Sequence, residues 1–341
     1  MLSEFDLEIV HALQEAPRAP WSLLAGVLAT DARTIARRYD RLRADGHVRV
    51  SATLGPRWLE RVSWAHLRVR TLPGQARHVA RQLAAWPQTG SVRVTDGSYE
   101  VYALLTGVDG RALWRSTQDG IARIPQIVRA DIHTVLESLD IGRAERLDTL
   151  SKRQVQQLRS YARLPESDRE VTRMTETDLA LTAMLNLDGR TEVAACAAEL
   201  GRSPSSVSRR ISRLQADGHL DFMTMIAEPL SSRPLCTFVW GRIDPEELPA
   251  LRKHRAALHW AGLLTITTGS SNVVVMANVA SVRGLESVLS TLRSICPSLE
   301  VHETQLSRQA VKRHSRLVTE DELWTDELTD PYPDFHLQPD I

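Results

Sequence analysis

Apolar side chains recur along the first fifty residues at helical spacing and then at strand spacing. Leu7, Val10 and Leu13 share one face of a first helix, and Leu23, Leu24, Val27 and Leu28 share one face of a short second helix. Ile35, Tyr39 and Leu42 fall at i, i+4 and i+7, which predicts a third helix ahead of an extended stretch at 48–54. The succession returns further on. Val207, Ile211 and Leu214 repeat the third stripe. Ser203 is a good N-cap, Pro204 sits where a missing N–H costs nothing, and Asp217-Gly218 closes the helix before an extended 220–226. Three short helices and a brief strand describe a winged helix-turn-helix, expected at 1–58 and again at 174–230.

After each of these the pattern alternates strand and helix. Residues 64–70, 91–95, 100–106 and 127–135 read as extended, with helices at 75–85 and 111–119. The later half repeats the order with strands at 236–243, 263–267, 273–279 and 299–306 and helices at 246–255 and 283–294. The order β-α-β-β-α-β is that of a ferredoxin-like sandwich, expected at 62–140 and 234–312. Between the halves, 141–173 reads as a linking helix with apolar points at Leu147, Leu150, Leu158 and Tyr161.

The repetition has one fixed offset. Residues 33–50 and 205–222 are identical at eight of eighteen positions, 172 residues apart. The same offset brings Asp6 onto Asp178, Leu28 onto Leu200, Gly97 onto Gly269 and Pro125 onto Pro297 without a gap. The chain reads as a tandem duplication of α+β class: two copies of a winged helix-turn-helix plus a ferredoxin-like βαββαβ domain.

Composition narrows the partners. The 341 residues are 43 % hydrophobic and 25 % charged, as in a globular protein, and no apolar run approaches the roughly 20 residues of a bilayer span. The start, Met1-Leu2-Ser3-Glu4-Phe5-Asp6, is acidic where a secretory signal is basic and then apolar, so a cytoplasmic location is expected. Cys196, Cys236 and Cys296 make an odd count without a close pair and read as reduced core residues. Net charge is zero, yet eight of the 42 acids lie beyond Thr319, where there is no Lys or Arg. The rest is a mildly basic body that permits a polyanionic partner. Residues 313–341 are expected to be an acidic, disordered tail.

The polar face of the third helix carries the candidate chemistry. Opposite its apolar stripe stand Arg33, Thr34, Arg37, Arg38 and Arg41. The repeat presents Ser205, Ser206, Arg209, Arg210 and Arg213. Guanidinium forks suit phosphate oxygens and the O6/N7 edge of guanine, and short hydroxyls suit phosphates or either base type. A helix so decorated and held by two others fits the major groove of double-stranded DNA. The later module, 174–230, holds five arginines against eight acids, so its field is the weaker one.

Residues 206–220, Ser-Val-Ser-Arg-Arg-Ile-Ser-Arg-Leu-Gln-Ala-Asp-Gly-His-Leu, resemble the recognition helix and wing of the leucine-responsive/asparagine-regulator (Lrp/AsnC) transcription factors. The earlier half carries the same motif with Ala36 and Tyr39 as variants, and the resemblance extends from residue 1 to about 310. It implies a sequence-specific regulator that dimerises through its ferredoxin-like domains and assembles into homo-oligomers. It also implies a small effector, commonly an amino acid, held near a glycine turn between the second and third strands. Here that turn is Thr95-Asp96-Gly97-Ser98-Tyr99-Glu100, with Gly269, Ser270 and Asn272 in the later half. A carboxylate such as Glu100 can pair with a ligand ammonium, whereas Asn272 can only hydrogen bond. The alternative reading of both glycines is a hairpin needing positive φ.

Eleven histidines show no metal spacing, and there is no Gly-rich phosphate loop or nucleophile elbow, so neither a metal nor a cofactor is expected, nor an enzyme. Trp64, Trp86, Trp114, Trp240 and Trp260 read as core or interface aromatics. Siroheme decarboxylases also resemble the family, including fused two-lobe forms with a tetrapyrrole between the sensing-type domains. His66, His133, His259 or His302 would be the groups available for such a site. A third possibility is an interaction module whose helix-turn-helix no longer engages DNA.

Overall fold

The computed structural model describes residues 2–55, 62–107, 109–141, 147–162, 174–258 and 260–329. It is a mixed α/β chain whose N-terminal part is helical and whose remainder is a large antiparallel sheet. Two compact units form, each assembled from both halves of the sequence. One takes Met1–Val62 and Leu147–Leu230, the other Ser63–Arg146 and Ser231–Pro333.

In the first unit, α1 (Glu4–Glu15), α2 (Trp21–Val27) and α3 (Ala32–Ala44) lead into β1 (Val48–Leu54). After α6 (Lys152–Ala162), the helices α7 (Glu176–Leu187), α8 (Val193–Glu199) and α9 (Pro204–Ala216) lead into β6 (Leu220–Ile226). Ser3 and Thr175 cap α1 and α7 with reciprocal capping boxes to Asp6 and Asp178, satisfying N–H groups that a helix start leaves open. The strands β1 and β6 pair antiparallel over their full length, with Val48 opposite Ile226, Ser51 opposite Met223 and Leu54 opposite Leu220. Each strand crosses into the other's core: Ile226 packs with Ile9, Leu13 and Val48, and Ala52 packs with Leu181, Leu185 and Phe222.

Two arginines at the 172-residue offset fasten this unit reciprocally. Arg190 donates to the carbonyls of Pro17 at 2.6 Å and Ala19 at 2.9 Å, and its guanidinium lies 3.6 Å from the Trp21 ring centre. Arg18 donates to the carbonyls of Gly189 and Thr191 and lies over Phe222. Within the expected linker, α6 buries Leu158 against α1 and fixes itself through Arg159 and Glu15 at 2.6 Å. Residues 142–146 and 163–173 of that linker lie outside the described residues.

The second unit contains β2 (Ser63–Thr71), α4 (Ala76–Ala84), β3 (Thr89–Thr95), β4 (Val101–Gly107), α5 (Gly110–Ala122) and β5 (Ile127–Ile141). It then repeats the order with β7 (Leu235–Arg242), α10 (Leu248–Lys253), β8 (Ala261–Thr267), β9 (Val273–Val279), α11 (Gly284–Ile295) and β10 (Glu300–Arg313). The strands run β3-β4-β2-β5 and β8-β9-β7-β10, and the pairings β5–β8 and β10–β3 join the two sets into a closed antiparallel ring. Closure uses strands longer than the pattern predicts. Residues 127–134 of β5 pair with β2 and 135–141 with β8, while 300–306 of β10 pair with β7 and 307–312 with β3. Strand alternation then sorts the side chains. Ala65, Leu67 and Val69 join the core containing Val79, Leu83 and Leu113 of α4 and α5. His66 and Arg68 take the opposite face of β2, toward the ring interior.

The expected disordered tail is corrected in part. β11 (Arg316–Val318) pairs with β10, and β12 (Trp324–Leu328) pairs with β11. The cause is Trp324, 3 % exposed beneath the Arg313 guanidinium 4.7 Å from its ring centre, which anchors the acidic stretch that polarity alone made look solvated. Glu320 pairs with Arg81 at 2.8 Å, and the Glu322 carboxylate accepts from the Ala310 N–H at 2.9 Å. Residues 330–341 lie outside the described residues. Replacing Trp324 with Ala is expected to lower unfolding free energy by about 3–5 kcal/mol and to open 313–329 to protease. Wild-type stability and protease resistance in that variant would show that Trp324 anchors nothing.

Candidate functional site

The arginines of the third helices divide into two groups. Arg38 and Arg41 bind the Asp6 carboxylate at 2.9 and 3.3 Å, and Arg210 and Arg213 bind Asp178 at 2.8 and 2.9 Å. Both acids are almost fully buried, so these four cations hold α3 onto α1 and α9 onto α7. Burial works to raise the Asp6 carboxyl, but hydrogen bonds from Ser3 and Arg38 outweigh it and hold it below the ordinary value. Asp178 behaves alike through Thr175, Arg210 and Arg213. The second group points outward. Arg33, Arg37 and Arg209 are exposed, as is Ser205, with Thr34 and Ser206 half-buried beside them. Ser205 Oγ lies 3.2 Å from the capping Ser203 Oγ, and Asp31 caps α3 by accepting from the Thr34 N–H at 2.8 Å. Ser206, Arg209, Arg210 and Arg213 line a cavity of about 210 Å³, and the Arg213 Nε–H is buried without a hydrogen-bond partner. Sequence reasoning counted five DNA-facing residues per helix and missed the two aspartates. Their signal was available, since Asp6 and Asp178 stand at the same offset and each closes a capping box.

The glycine turns sit against the opposite set of strands. Gly97 and Gly269 have φ of +89° and +98°, the left-handed region that the hairpin reading requires. A Cβ on Gly97 would meet Glu303 Oε1 at 2.7 Å, and one on Gly269 would meet His133 Nδ1 at 2.8 Å. Asp96 accepts from the Leu306 N–H at 2.7 Å and from Arg308 at 2.6 Å, and the Ser98 N–H donates to Glu303 at 2.7 Å. Tyr99 donates its hydroxyl proton to Asp131, and the Glu100 carboxylate accepts from the Thr71 N–H at 2.8 Å. The Asn272 side chain bonds both backbone groups of Ile243, and the Ser270 carbonyl accepts from Arg242 at 3.4 Å. The turn polar groups are thus engaged with neighbouring strands.

The ring interior holds a cluster that the sequence did not assemble. His66, fully buried, has Nδ1 2.9 Å from the Tyr102 hydroxyl and Nε2 2.8 Å from Thr265 Oγ1. Burial, reinforced by His133 and Arg68, pushes its pKa down to about 3. Arg68 is sandwiched between Trp240 and Tyr99 at 4.2 and 4.3 Å, and pairs with Glu303 at 3.1 Å and Asp131 at 3.8 Å. Trp240 donates to Gln305 at 3.1 Å. His133 Nδ1 lies 3.1 Å from the Thr268 carbonyl, which can only accept, so Nδ1 carries the proton and Nε2 is a bare lone pair. That Nε2 is buried without a partner, and burial holds the ring neutral by lowering its pKa. The donor type suits a base or a metal ligand. The space does not suit a macrocycle as it stands, because Trp240, Tyr102 and Phe238 fill the interior and would have to move. His302 bonds Ser271 at 3.0 Å, and His259 lies outside the described residues. Among the described residues no group of His, Cys, Asp and Glu is arranged to hold a metal.

Residues 2–43 match the AsnC-type helix-turn-helix domain, which makes the N-terminal helices a helix-turn-helix of DNA-binding type. Across nearly the whole chain the fold is similar to the siroheme decarboxylase NirDL, solved with an iron-uroporphyrin III analogue (TM-score 0.59, 14 % identity, 91 % of this chain and 93 % of that one). A second crystal structure of the siroheme decarboxylase NirDL matches with TM-score 0.58 at 15 % identity, over 91 % of this chain and 93 % of that one. E. coli AsnC also matches, over 40 % of this chain and 93 % of its own, at 18 % identity and TM-score 0.36. No curated protein sequence matches. The NirDL match corrects the expectation of a protein that is not an enzyme. That expectation rested on missing motifs, and the architecture over nine-tenths of the chain is one an enzyme uses. No helix among the described residues is long and apolar enough to cross a membrane.

The buried His66 gives the ring a pH signature. A histidine depressed in the folded state contributes its full stability above the ordinary 6.5 and loses it as pH falls from 6.5 toward about 3. Melting temperature should fall across the upper part of that window, before carboxylates titrate. His66→Phe, which copies Phe238 at the offset position, should flatten the slope. An unchanged slope would assign the acid sensitivity to another group.

Proposed function

We propose that this chain is a sequence-specific, DNA-binding transcriptional regulator of the Lrp/AsnC type. In this reading it is a tandem duplication whose winged helix-turn-helix modules pair within one chain and whose ferredoxin-like domains form the ring. The single observation that carries the reading is the exposed guanidinium set Arg33, Arg37 and Arg209, left over after Asp6 and Asp178 have bound their own arginines. Cations without an internal partner among the described residues, on helices braced by two others, are the groups that meet phosphates and guanine edges in a major groove. The AsnC-type match over residues 2–43 supports the same conclusion. Support for the duplication comes from the common element order and the equal strand orders of the two sets. The ring is the seat of the effector, an amino acid or another carboxylate-bearing molecule. The unpartnered His133 Nε2 and the buried Arg68 Nε–H offer one acceptor and one donor beside Trp240.

The same unpartnered His133 nitrogen, together with the NirDL-like fold, favours a second reading. There the ring would take a tetrapyrrole beside His133 only after Trp240, Tyr102 and Phe238 move; a carboxylate lost as carbon dioxide would leave an electron pair on carbon that takes up a proton from a donor other than the neutral His133 Nε2. Adding an iron uroporphyrin to purified protein decides it. A shifted visible band that disappears in His133→Ala, with carbon dioxide release from siroheme, establishes catalysis; an unperturbed spectrum removes it.

Substitution separates contact from scaffold in the first reading. Arg37→Ala and Arg209→Ala should weaken duplex binding by about 1–3 kcal/mol per base contact, less where the partner is phosphate, with unchanged melting. Asp178→Asn should instead cost roughly 1.5–3 kcal/mol of stability, because Arg210 and Arg213 lose the buried negative charge and one of its two acceptor oxygens. Unchanged DNA affinity in both arginine variants would move the interface elsewhere.

A further inference from the structure

The two DNA-facing helices are held alike but do not present the same side chains. The strands β1 and β6 pair about Ser51 and Met223 with three residue pairs on either side, and Arg18 and Arg190 fasten the unit reciprocally. Four positions of α9 line the cavity: Ser206, Arg209, Arg210 and Arg213. Their counterparts at the offset on α3 are Thr34, Arg37, Arg38 and Arg41, so hydroxyl answers hydroxyl and guanidinium answers guanidinium. A phosphate-sized anion suits this set, and the buried, unpartnered Arg213 Nε–H supplies a donor lacking its acceptor. Both helices therefore carry the same hydroxyl and guanidinium pattern, with Arg37 and Arg209 as the members not bound to Asp6 or Asp178.

The difference lies one residue earlier. Arg33 is exposed in the first turn of α3, where its counterpart on α9 is the exposed Ser205. In a groove-bound helix the N-terminal residues reach base edges. An arginine there reads guanine through O6 and N7, whereas a serine contacts either base type weakly. Building on the DNA-binding reading, we propose that Arg33 and Ser205 make the operator asymmetric: one half-site requires a guanine that the other does not, so the bound chain has a fixed direction along DNA.

Selection of bound duplexes from a random pool, run with wild type, Arg33→Ser and Ser205→Arg, tests this. Both substitutions are at exposed positions, and melting curves confirm folding. Wild type should return two unequal half-sites, with the guanine favoured about five- to hundredfold in one. Arg33→Ser should erase that preference and Ser205→Arg should create it in the other half, each giving a more nearly palindromic consensus. A perfect palindrome from wild type, or a Ser205→Arg consensus identical to wild type, overturns the proposal while leaving DNA binding intact. Retention of no duplex by any folded variant overturns the DNA-binding reading itself, and this inference with it.

Discussion

Two buried carboxylates organise the helical unit. Asp6 and Asp178 each cap their own helix and simultaneously grip two arginines of the third helix. A carboxylate removed from water is tolerated only when fully hydrogen-bonded, and here capping hydroxyls, backbone N–H groups and guanidinium groups supply those bonds. The same interaction fixes the angle of the third helix and decides which arginines are left to face outward. Four cations, the exposed Arg41 among them, are engaged by the two carboxylates; Arg33, Arg37 and Arg209 are exposed and bind neither.

Closure of the ring has a comparable logic. β5 and β10 extend past their own sheets and lend their second halves to the other set, which leaves the inner faces of both sheets buried. Residues 172 apart in the sequence differ inside that closed space. At that offset His66 corresponds to Phe238, Arg68 to Trp240 and His133 to Gln305. At these three positions the first half has His66, Arg68 and His133 where the second has aromatic and amide groups. The outcome is a one-sided polar cluster with a stacked Arg68 and a bare His133 nitrogen. A symmetric pair of identical chains does not have that freedom.

Much of this was readable in the residues. The Ile35, Tyr39, Leu42 stripe and its repeat at Val207, Ile211, Leu214 located helices whose buried faces are those same residues. The succession of strands and helices along the chain was legible because alternation is local. Closure was not, since nothing near residues 135–141 or 307–312 indicates which distant strand they will pair with. The ring cluster escaped for the same reason: His66 and Thr265 are far apart in sequence and meet only after closure. Polarity misled at the acidic end, where a single Trp324 outweighs its charged neighbours. The absence of short motifs was no ground for expecting a protein that is not an enzyme, because the fold is similar to that of NirDL and a fold does not advertise its chemistry in short spacings.

The central claim is that the outward arginines of α3 and α9 seat in duplex DNA. Its most direct measurement is the dissociation constant for a genomic duplex captured by the full chain, followed as salt rises. Guanidinium–phosphate contacts release counterions, so log affinity should fall linearly with log salt, with a slope near 0.9 per phosphate contacted. Replacing Arg37 and Arg209 together with Ala should flatten that line. A binding constant indifferent to salt, or a slope untouched by the double substitution, would contradict the account.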